Sequence, residues 1–177
     1  MKILQITYSL ASGGAERFVV DLSNELAKNR DNEVYLLIIR DFSDPKYKYY
    51  FPEVSKDVKC LNIGASKGLC WKSVMGVYKT IKKLKPDIVH AHSDLTLLYL
   101  PSLLYKKSKY VHTLHTIAEK NIVHKKLRAF QRYIYNKYVL GITISEICQK
   151  SFVNFYNLDG VSLCIPNGCK KMVKTQA

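Results

Sequence analysis

Short apolar runs alternate with amphipathic helical segments along the whole chain, and this alternation restricts the possible folds more than any other feature. Lys2–Tyr8 and Glu33–Arg40 are predicted strands, and the second has the nearly continuous hydrophobicity of a strand covered on both faces. Ala15–Lys28, between them, has apolar residues at helical spacing. Strands that alternate with helices predict a parallel sheet, whose right-handed crossovers place helices on its faces.

The rest of the chain continues this pattern, with Asp41–Pro52 as a predicted loop. We therefore predict one α/β domain with a parallel sheet of about seven strands and helices on both faces. The further predicted strands are Asp57–Ile63, Asp87–Ala91, Lys109–Leu114, Val139–Ile144 and Val161–Ile165, and the further predicted helices are Leu69–Leu84, Leu95–Leu104, Val123–Lys137 and Glu146–Phe155.

Two adjacent glycines, Gly13 and Gly14, connect the first predicted strand to the first predicted helix. Glycines adopt backbone angles that a side chain disfavours, and they let a ligand approach the main chain. The first helical N–H groups lack partners within the helix and carry partial positive charge, so they attract anions. The turn therefore predicts a contact with a phosphate or a sugar, although a plain strand-to-helix connection fits equally well. It has neither the Gly-Lys-Ser/Thr ending of a P-loop nor the Gly-x-Gly-x-x-Gly spacing of a dinucleotide site.

Polar residues follow most of the predicted strands. In open parallel sheets, ligands bind at the carboxyl ends of the strands, so these residues are expected to converge on one rim. Taken singly they also fit structural roles, such as a helix cap or a turn. The residues are Gly13 and Gly14 after the first strand, His92 after the fourth, His115 after the fifth, Ser145 after the sixth and Asn167 after the seventh.

Several chemistries are not supported by the residues present. His90 and His92 lie two apart, on one face of a predicted strand, but no third ligand at matched spacing accompanies them, so no metal site is predicted. No serine lies on a nucleophile elbow. The Asp-x-Asp of metal-dependent sugar transferases is also absent, because Asp41 and Asp44 are three apart.

The formal charge of +14, from 28 basic and 14 acidic residues, indicates an acidic partner. The five scattered cysteines fit reduced thiols in a cytoplasmic protein, and no run approaches the roughly 20 apolar residues of a membrane span. Nucleic acid is disfavoured as the partner, since no RNA- or DNA-binding motif appears. An anionic membrane surface is the alternative: nine basic residues and one acidic residue lie between Ser102 and Tyr138, and six lysines accompany Trp71 between Lys67 and Lys85. Lysine stems that cover apolar helices explain the same pattern.

Six segments together resemble the N-terminal half of retaining glycosyltransferases of family 4, which have a GT-B fold. The resemblance covers nearly the whole chain, in the family's order. The segments are Met1-Lys-Ile-Leu-Gln-Ile6, Gly13-Gly-Ala-Glu-Arg17, Pro86-Asp-Ile-Val-His-Ala-His92, Val111-His-Thr-Leu-His115, Ile142-Thr-Ile-Ser-Glu146 and Ile165-Pro-Asn-Gly168.

The resemblance implies two Rossmann-like domains, with the acceptor bound mainly by the N-terminal one and the nucleotide sugar by the C-terminal one. Transfer would retain the anomeric configuration and need neither a metal nor another cofactor. Gly13 and Gly14 would lie near the donor diphosphate and sugar, and His115 would face the reacting sugar, with an ordinary pKa near ~6.5. The resemblance places further residues beside the acceptor cleft, namely Glu16, Arg17, His92, Ser145 and Asn167.

Members of this family are about twice as long as the present 177 residues. The basic residues that bind the diphosphate and the Glu-x7-Glu that holds the donor are expected in a second domain that this chain does not contain. Because catalysis depends on stabilising transition-state charge, we expect the chain alone to be inactive. Its partners would be a nucleotide sugar and a sugar or lipid-linked acceptor, with peripheral contact at the inner face of a membrane. A non-catalytic sugar- or membrane-binding module, working with a separate donor-binding subunit, is the alternative.

Overall fold

A computed structural model describes residues 1–66, 70–92, 94–121, 127–158 and 162–168 of the chain. Within these residues, seven strands and six α-helices alternate, with two 3-10 helices, Pro45–Lys48 and Phe51–Glu53, after the second strand. The strands are β1 (Lys2–Thr7), β2 (Glu33–Arg40), β3 (Lys59–Ala65), β4 (Ile88–Ala91), β5 (Lys109–Leu114), β6 (Val139–Thr143) and β7 (Ser162–Cys164). The helices are α1 (Gly14–Lys28), α2 (Trp71–Leu84), α3 (Thr96–Leu104), α4 (Ala118–Asn121), α5 (Arg128–Lys137) and α6 (Glu146–Tyr156).

All seven strands lie in one sheet, in the order β3-β2-β1-β4-β5-β6-β7, and every neighbouring pair is parallel. The predicted α/β fold with a parallel, Rossmann-like sheet is therefore confirmed. The chain builds outward from β1 to β3 and then returns to pair β4 with the other side of β1. Such a reversal leaves a crevice at the carboxyl ends of the strands, which is where open α/β sheets bind ligands.

The two faces of the sheet are packed by different helices. Val34, Leu36 and Ile38 of β2 pack in one apolar cluster with residues of α1. Leu37 and Ile39, which alternate with them, belong to a second cluster that includes residues of α2, α3, α5 and α6. Because successive side chains on a strand point to opposite faces, α1 lies on one face and the other helices lie on the other. The prediction of helices on both faces is confirmed.

The α1 face is open beside α1. Ile88 of β4, Val111 of β5 and Ile142 of β6 line a cleft of about 310 Å³ with Phe18 and Leu22 of α1. The segment after β7 borders the same cleft through Ile165. Parallel strands are usually apolar on both faces because both faces are usually covered, so this is an unusually exposed part of the sheet.

Some predicted boundaries differ from the structure. β3 begins at Lys59 rather than Asp57, because Asp57 and Val58 are held in a turn by hydrogen bonds to Ser55. The predicted loop after β2 contains the two 3-10 helices, the first of which begins at a proline and is capped by Asp44. The predicted starts of the second and fourth helices and of β7 fall partly outside the described residues.

Candidate functional site

The polar side chains near the carboxyl ends of β1, β4 and β5 lie on one face of the sheet or the other, because successive side chains on a strand point to opposite faces. Gln5, His90 and Thr113 line the cleft on the α1 face together with Phe18. His112, one residue before Thr113, lies on the other face, where its Nδ1 is 2.7 Å from the hydroxyl of Tyr135. The alternation of His and apolar residues in these strands therefore places one set of histidines beside α1 and buries another histidine in the opposite core.

Hydrogen bonds connect these side chains across three strands. The Nε2 of His90 lies 2.7 Å from the hydroxyl of Thr113, and the rings of His90 and His92 lie 4.0 Å apart. The Nε2 of His92 is 2.7 Å from Oε1 of Gln5, and its Nδ1 is 3.3 Å from Nε2 of His115. The predicted convergence of strand-end residues therefore holds for His92 and His115, and it includes Gln5, which sequence reasoning treated only as a strand residue.

His90, His92 and His115 are uncharged at neutral pH, because burial disfavours their protonated forms. Burial, followed by neighbouring histidines, lowers the pKa of His90 to about 3 and that of His92 well below its ordinary value. Burial, followed by the charge of His112, lowers the pKa of His115 to about 4. The pKa of His115 is therefore lower than the ordinary histidine value near ~6.5, because burial disfavours the protonated ring. Among the residues that the structure describes, the buried Nδ1 of His115 has no hydrogen-bond partner.

The glycine turn differs from the prediction in its backbone. Gly13 is extended, with φ −157° and ψ 157°, and Gly14 is the first residue of α1, so neither occupies the left-handed region. The absence of a Cβ has a different consequence at each of the two positions. A Cβ at Gly13 would collide with the carboxylate of Glu16, whereas a Cβ at Gly14 would meet nothing within 4 Å. Among the described residues, no side chain caps the first N–H groups of α1.

Phe18 connects this helix start to the histidines. Its ring centroid is 5.8 Å from that of His92 and 5.4 Å from that of His115. Phe18 lies four residues after Gly14, about one helical turn along α1. The glycine turn, His92 and His115 therefore occupy one region of the carboxyl rim. Sequence reasoning assigned Phe18 only to the apolar stripe of the helix.

The remaining predicted site residues have structural partners or lie further along the rim. Arg17 pairs with Asp21 at 3.0 Å and with Glu53 at 2.6 Å, which directs it to the 3-10 segment. Ser145 is the N-cap of α6, where its hydroxyl accepts a hydrogen bond from the backbone N–H of Cys148. Asn167 is exposed, and its neighbours Pro166 and Gly168 border a cleft of about 420 Å³ beside α1.

A polar cleft of about 460 Å³ extends the rim past β2. Arg40 and Lys46 both lie 4.8 Å from the centroid of the Tyr47 ring, and Arg40 also donates to the carbonyl of Ser66 at 2.6 Å. The backbone N–H of Leu10 donates to the carbonyl of Tyr47, which holds this segment against the loop after β1. The polar cleft therefore lies beside the loop that connects β1 to the glycine turn.

The described ranges contain neither a candidate metal site nor a helix that could span a membrane. No three or more His, Cys, Asp or Glu side chains there are grouped so as to hold a metal ion. No helix in the same ranges combines the length and hydrophobicity that crossing a bilayer requires.

Residues 12–170 match the sequence model of Glycosyltransferase Family 4. The chain belongs to this family. No curated protein sequence matches it significantly. The match covers most of the family 4 chain, including the glycine turn and both rim histidines, so the resemblance inferred from six segments is confirmed.

Solved structures place the family 4 chain among larger proteins. Anabaena Alr3699/HepE, solved with UDP and glucose, is 18% identical over 96% of this chain and 45% of its own, with a TM-score of 0.67. A UDP-N-acetylglucosamine 2-epimerase is 18% identical over 93% of this chain and 47% of its own, with a TM-score of 0.64. The Neisseria meningitidis UDP-GlcNAc 2-epimerase, solved with UDP-GlcNAc, is 17% identical over 93% and 45%, with a TM-score of 0.62. The family 4 chain shares their fold and spans less than half of their length.

Proposed function

We propose that this chain is the acceptor-binding domain of a retaining glycosyltransferase, which transfers a sugar from a nucleotide-sugar donor to a polysaccharide or lipid-linked acceptor. One observation carries the proposal: Phe18 lies about one helical turn from the uncapped start of α1 and packs against His92 and His115, beside the reversal point of the sheet. Main-chain donors beside neutral imidazoles suit a ligand rich in hydroxyl groups with an anionic portion nearby.

The donor is proposed to reach the rim at Gly13 and Gly14. HepE was solved with UDP and glucose and the Neisseria epimerase with UDP-GlcNAc, which supports a UDP-sugar as the first donor to test. The carboxylate of Glu16 lies against Gly13 and repels phosphate at that point. We therefore assign the transferred sugar to Gly13 and the diphosphate to the more open Gly14.

We propose that the 177 residues alone do not catalyse sugar transfer. One cation beside the rim is already neutralised, because Arg17 pairs with Asp21 and Glu53. Arg17 is therefore not free to neutralise the leaving diphosphate, which is the charge that most needs stabilisation in this reaction. A second domain or subunit would supply that charge. No metal or other cofactor is part of the proposal.

The polar cleft beyond β2 is the proposed acceptor side. Guanidinium, carboxylate and hydroxyl groups of Arg40, Asp41, Ser43 and Asp44 surround it, and such groups hydrogen-bond sugar hydroxyls. The cleft lies on the same carboxyl rim as the glycine turn, as an acceptor next to the donor sugar requires.

A lipid-linked acceptor would bring the chain to an anionic bilayer through α2. Trp71 is 73% exposed at the start of α2, and Lys72 and Lys79 line the same shallow surface as Trp71. Tryptophan favours the membrane interface, and each lysine near an anionic surface contributes about 1 kcal/mol. Trp71→Ala combined with Lys72→Gln and Lys79→Gln should reduce sedimentation with anionic liposomes, whereas Lys28→Gln, on α1, should not. Equal recovery with anionic and neutral liposomes would remove this part of the proposal.

The central test is binding of UDP-glucose and UDP-GlcNAc to the isotopically labelled chain, followed by NMR. Shifts are expected at Gly13, Gly14 and His115, and UDP alone should shift the glycines but not His115. Gly14→Val should abolish the response, because it fills the open space at the helix start. Perturbation confined to regions away from this rim would contradict donor binding. A response to acceptor sugars without one to UDP-sugars would support acceptor binding by this chain and remove only the donor contacts assigned to Gly13 and Gly14.

A further inference from the structure

Gln5 is a buried polar residue in the centre of the sheet, with a side chain 1% exposed. It lies on β1, directly beside His90 of β4 in the strand register. Its Oε1 nevertheless bonds to His92 rather than to His90, at 2.7 Å. A buried amide is unfavourable unless it is hydrogen-bonded, so this contact calls for an explanation beyond packing.

The direction of this hydrogen bond determines the protons on two rings. Since Oε1 of Gln5 is an acceptor only, Nε2 of His92 must carry the hydrogen. Neutral His92 then has an unprotonated Nδ1, which accepts from Nε2 of His115, 3.3 Å away. Neutral His115 consequently has its hydrogen on Nε2 and a bare lone pair on Nδ1. Within the described part of the chain, this buried Nδ1 has no hydrogen-bond partner.

We propose that Gln5 is a positioning residue, which acts through His92 to hold His115 in the Nε2–H tautomer and so presents Nδ1 of His115 as a hydrogen-bond acceptor. The lowered pKa of His115, caused mainly by burial, keeps the ring neutral and the lone pair available at physiological pH. Neither Gln5 nor His92 needs to touch the substrate for this role.

This tautomer restricts the chemical groups that can bind to Nδ1 of His115. A bare nitrogen accepts from a hydroxyl but repels the oxygens of a phosphate or a carboxylate, which have lone pairs of their own. On this proposal, the group that reaches Nδ1 of His115, an atom buried in the free protein, is a hydroxyl of the sugar rather than the diphosphate. This consequence rests on the proposed function, whereas the tautomer itself is a property of the free protein and is tested without any sugar.

The test is a long-range ¹H–¹⁵N correlation spectrum of the ¹⁵N-histidine-labelled chain at pH 7, with His115→Gln used to assign the His115 signals. Wild type should show a protonated Nε2 and an unprotonated Nδ1 on both His92 and His115. Gln5→Met removes the acceptor at nearly constant size, and the Nδ1-protonated form should then appear at both rings. Thr113→Val is the matched control: it removes the partner of His90 from the same buried layer, and the His115 signals should remain as in wild type.

Gln5→Glu provides a second variant if Gln5→Met does not fold. A carboxylate at this position favours a protonated His92, whose Nδ1 would then donate to His115 and move the His115 proton to Nδ1. The two rings should therefore change together or not at all. Protonated Nδ1 on His115 in wild type, unchanged spectra in Gln5→Met, or a charged His92 beside an unaltered His115 would each overturn the proposal. Failure of UDP-sugar binding with the expected tautomer would refute only the proposed function.

Discussion

Phe18 packs against His115, with ring centroids 5.4 Å apart and ring planes at 63°. The first residue belongs to α1 and the second follows β5, so one aromatic contact joins the start of the helix to the histidines of the rim. The contact also covers His115 from solvent on the α1 side. Since burial is the main cause of the lowered pKa of His115, Phe18 is expected to control its protonation.

Removing the Phe18 ring should raise the pKa of His115. In Phe18→Ala, water reaches the imidazole, and the pKa should move from about 4 toward the ordinary value near 6.5. Phe18→Tyr is the matched control, because it keeps the ring and should leave the pKa low. Titration of His115 by NMR measures both. The same pKa in the alanine variant as in wild type would show that the sheet, and not Phe18, causes the desolvation.

Stability should fall as the pH drops below about 6.5, the ordinary histidine pKa. His90 has a folded-state pKa of about 3, so between pH 6.5 and 3 the unfolded chain binds a proton that the folded chain does not. Stability therefore rises with pH in this window. At pH 5 this residue alone should lower the free energy of unfolding by about 2 kcal/mol relative to neutral pH.

Urea unfolding at pH 7.5 and pH 5 measures this loss, and His115 and His92 should add to it, because their pKa values are also lowered. His90→Gln should reduce the difference between the two pH values by the contribution of one group. Equal unfolding free energies at both pH values would contradict a neutral, buried histidine cluster.

The two glycines of the turn should respond differently to alanine. Gly14→Ala places a methyl group in open space at the first helical position and should stabilise the chain by about 0.5–1 kcal/mol. Gly13→Ala displaces the Glu16 carboxylate and puts a poor capping residue at the N-cap, so it should be destabilising. Thermal unfolding should rank Gly14→Ala above wild type and wild type above Gly13→Ala. The reverse order would mean that the glycines are retained for backbone conformation.

Two substitutions of Ser145 distinguish its role as a helix cap from a role in ligand binding. Ser145→Ala removes the acceptor for the N–H of Cys148 and should cost about 1 kcal/mol of stability. Ser145→Asp keeps a capping oxygen and should retain wild-type stability. If UDP-sugar or acceptor binding is lost in both variants while Ser145→Asp remains fully stable, the residue has a binding role in addition to capping.

The strands were predictable because their signals are local. Glu33–Arg40 and Lys109–Leu114 were predicted with the bounds that they have in the structure, since each is a clear β-type run ended by polar or turn residues. The position of the rim was predictable from one further rule, which is that parallel strands have their carboxyl ends at the same edge of the sheet. That rule was sufficient to bring His92 and His115 together.

The features of the site that the sequence does not predict depend on contacts across the sheet. Gln5 looked like a polar interruption in an apolar strand, and only its pairing with the end of β4 reveals a partner for His92. Phe18 fitted a helical stripe, and its contact with His115 depends on where α1 crosses the sheet. The low pKa of His115 is likewise a consequence of packing, which residue type alone does not contain.

The bond between Gln5 and His92 spans 87 positions in the chain, because β1 and β4 are neighbours in space and not in sequence. During synthesis β1 leaves the ribosome long before β4, so no nascent chain that ends ahead of β4 can assemble this site. Closing so long a loop is also slow relative to forming helices, which makes pocket assembly a late folding event. Until β4 has been synthesised, a nascent chain would therefore have an unpaired β1 edge and lack the Gln5–His92 hydrogen bond.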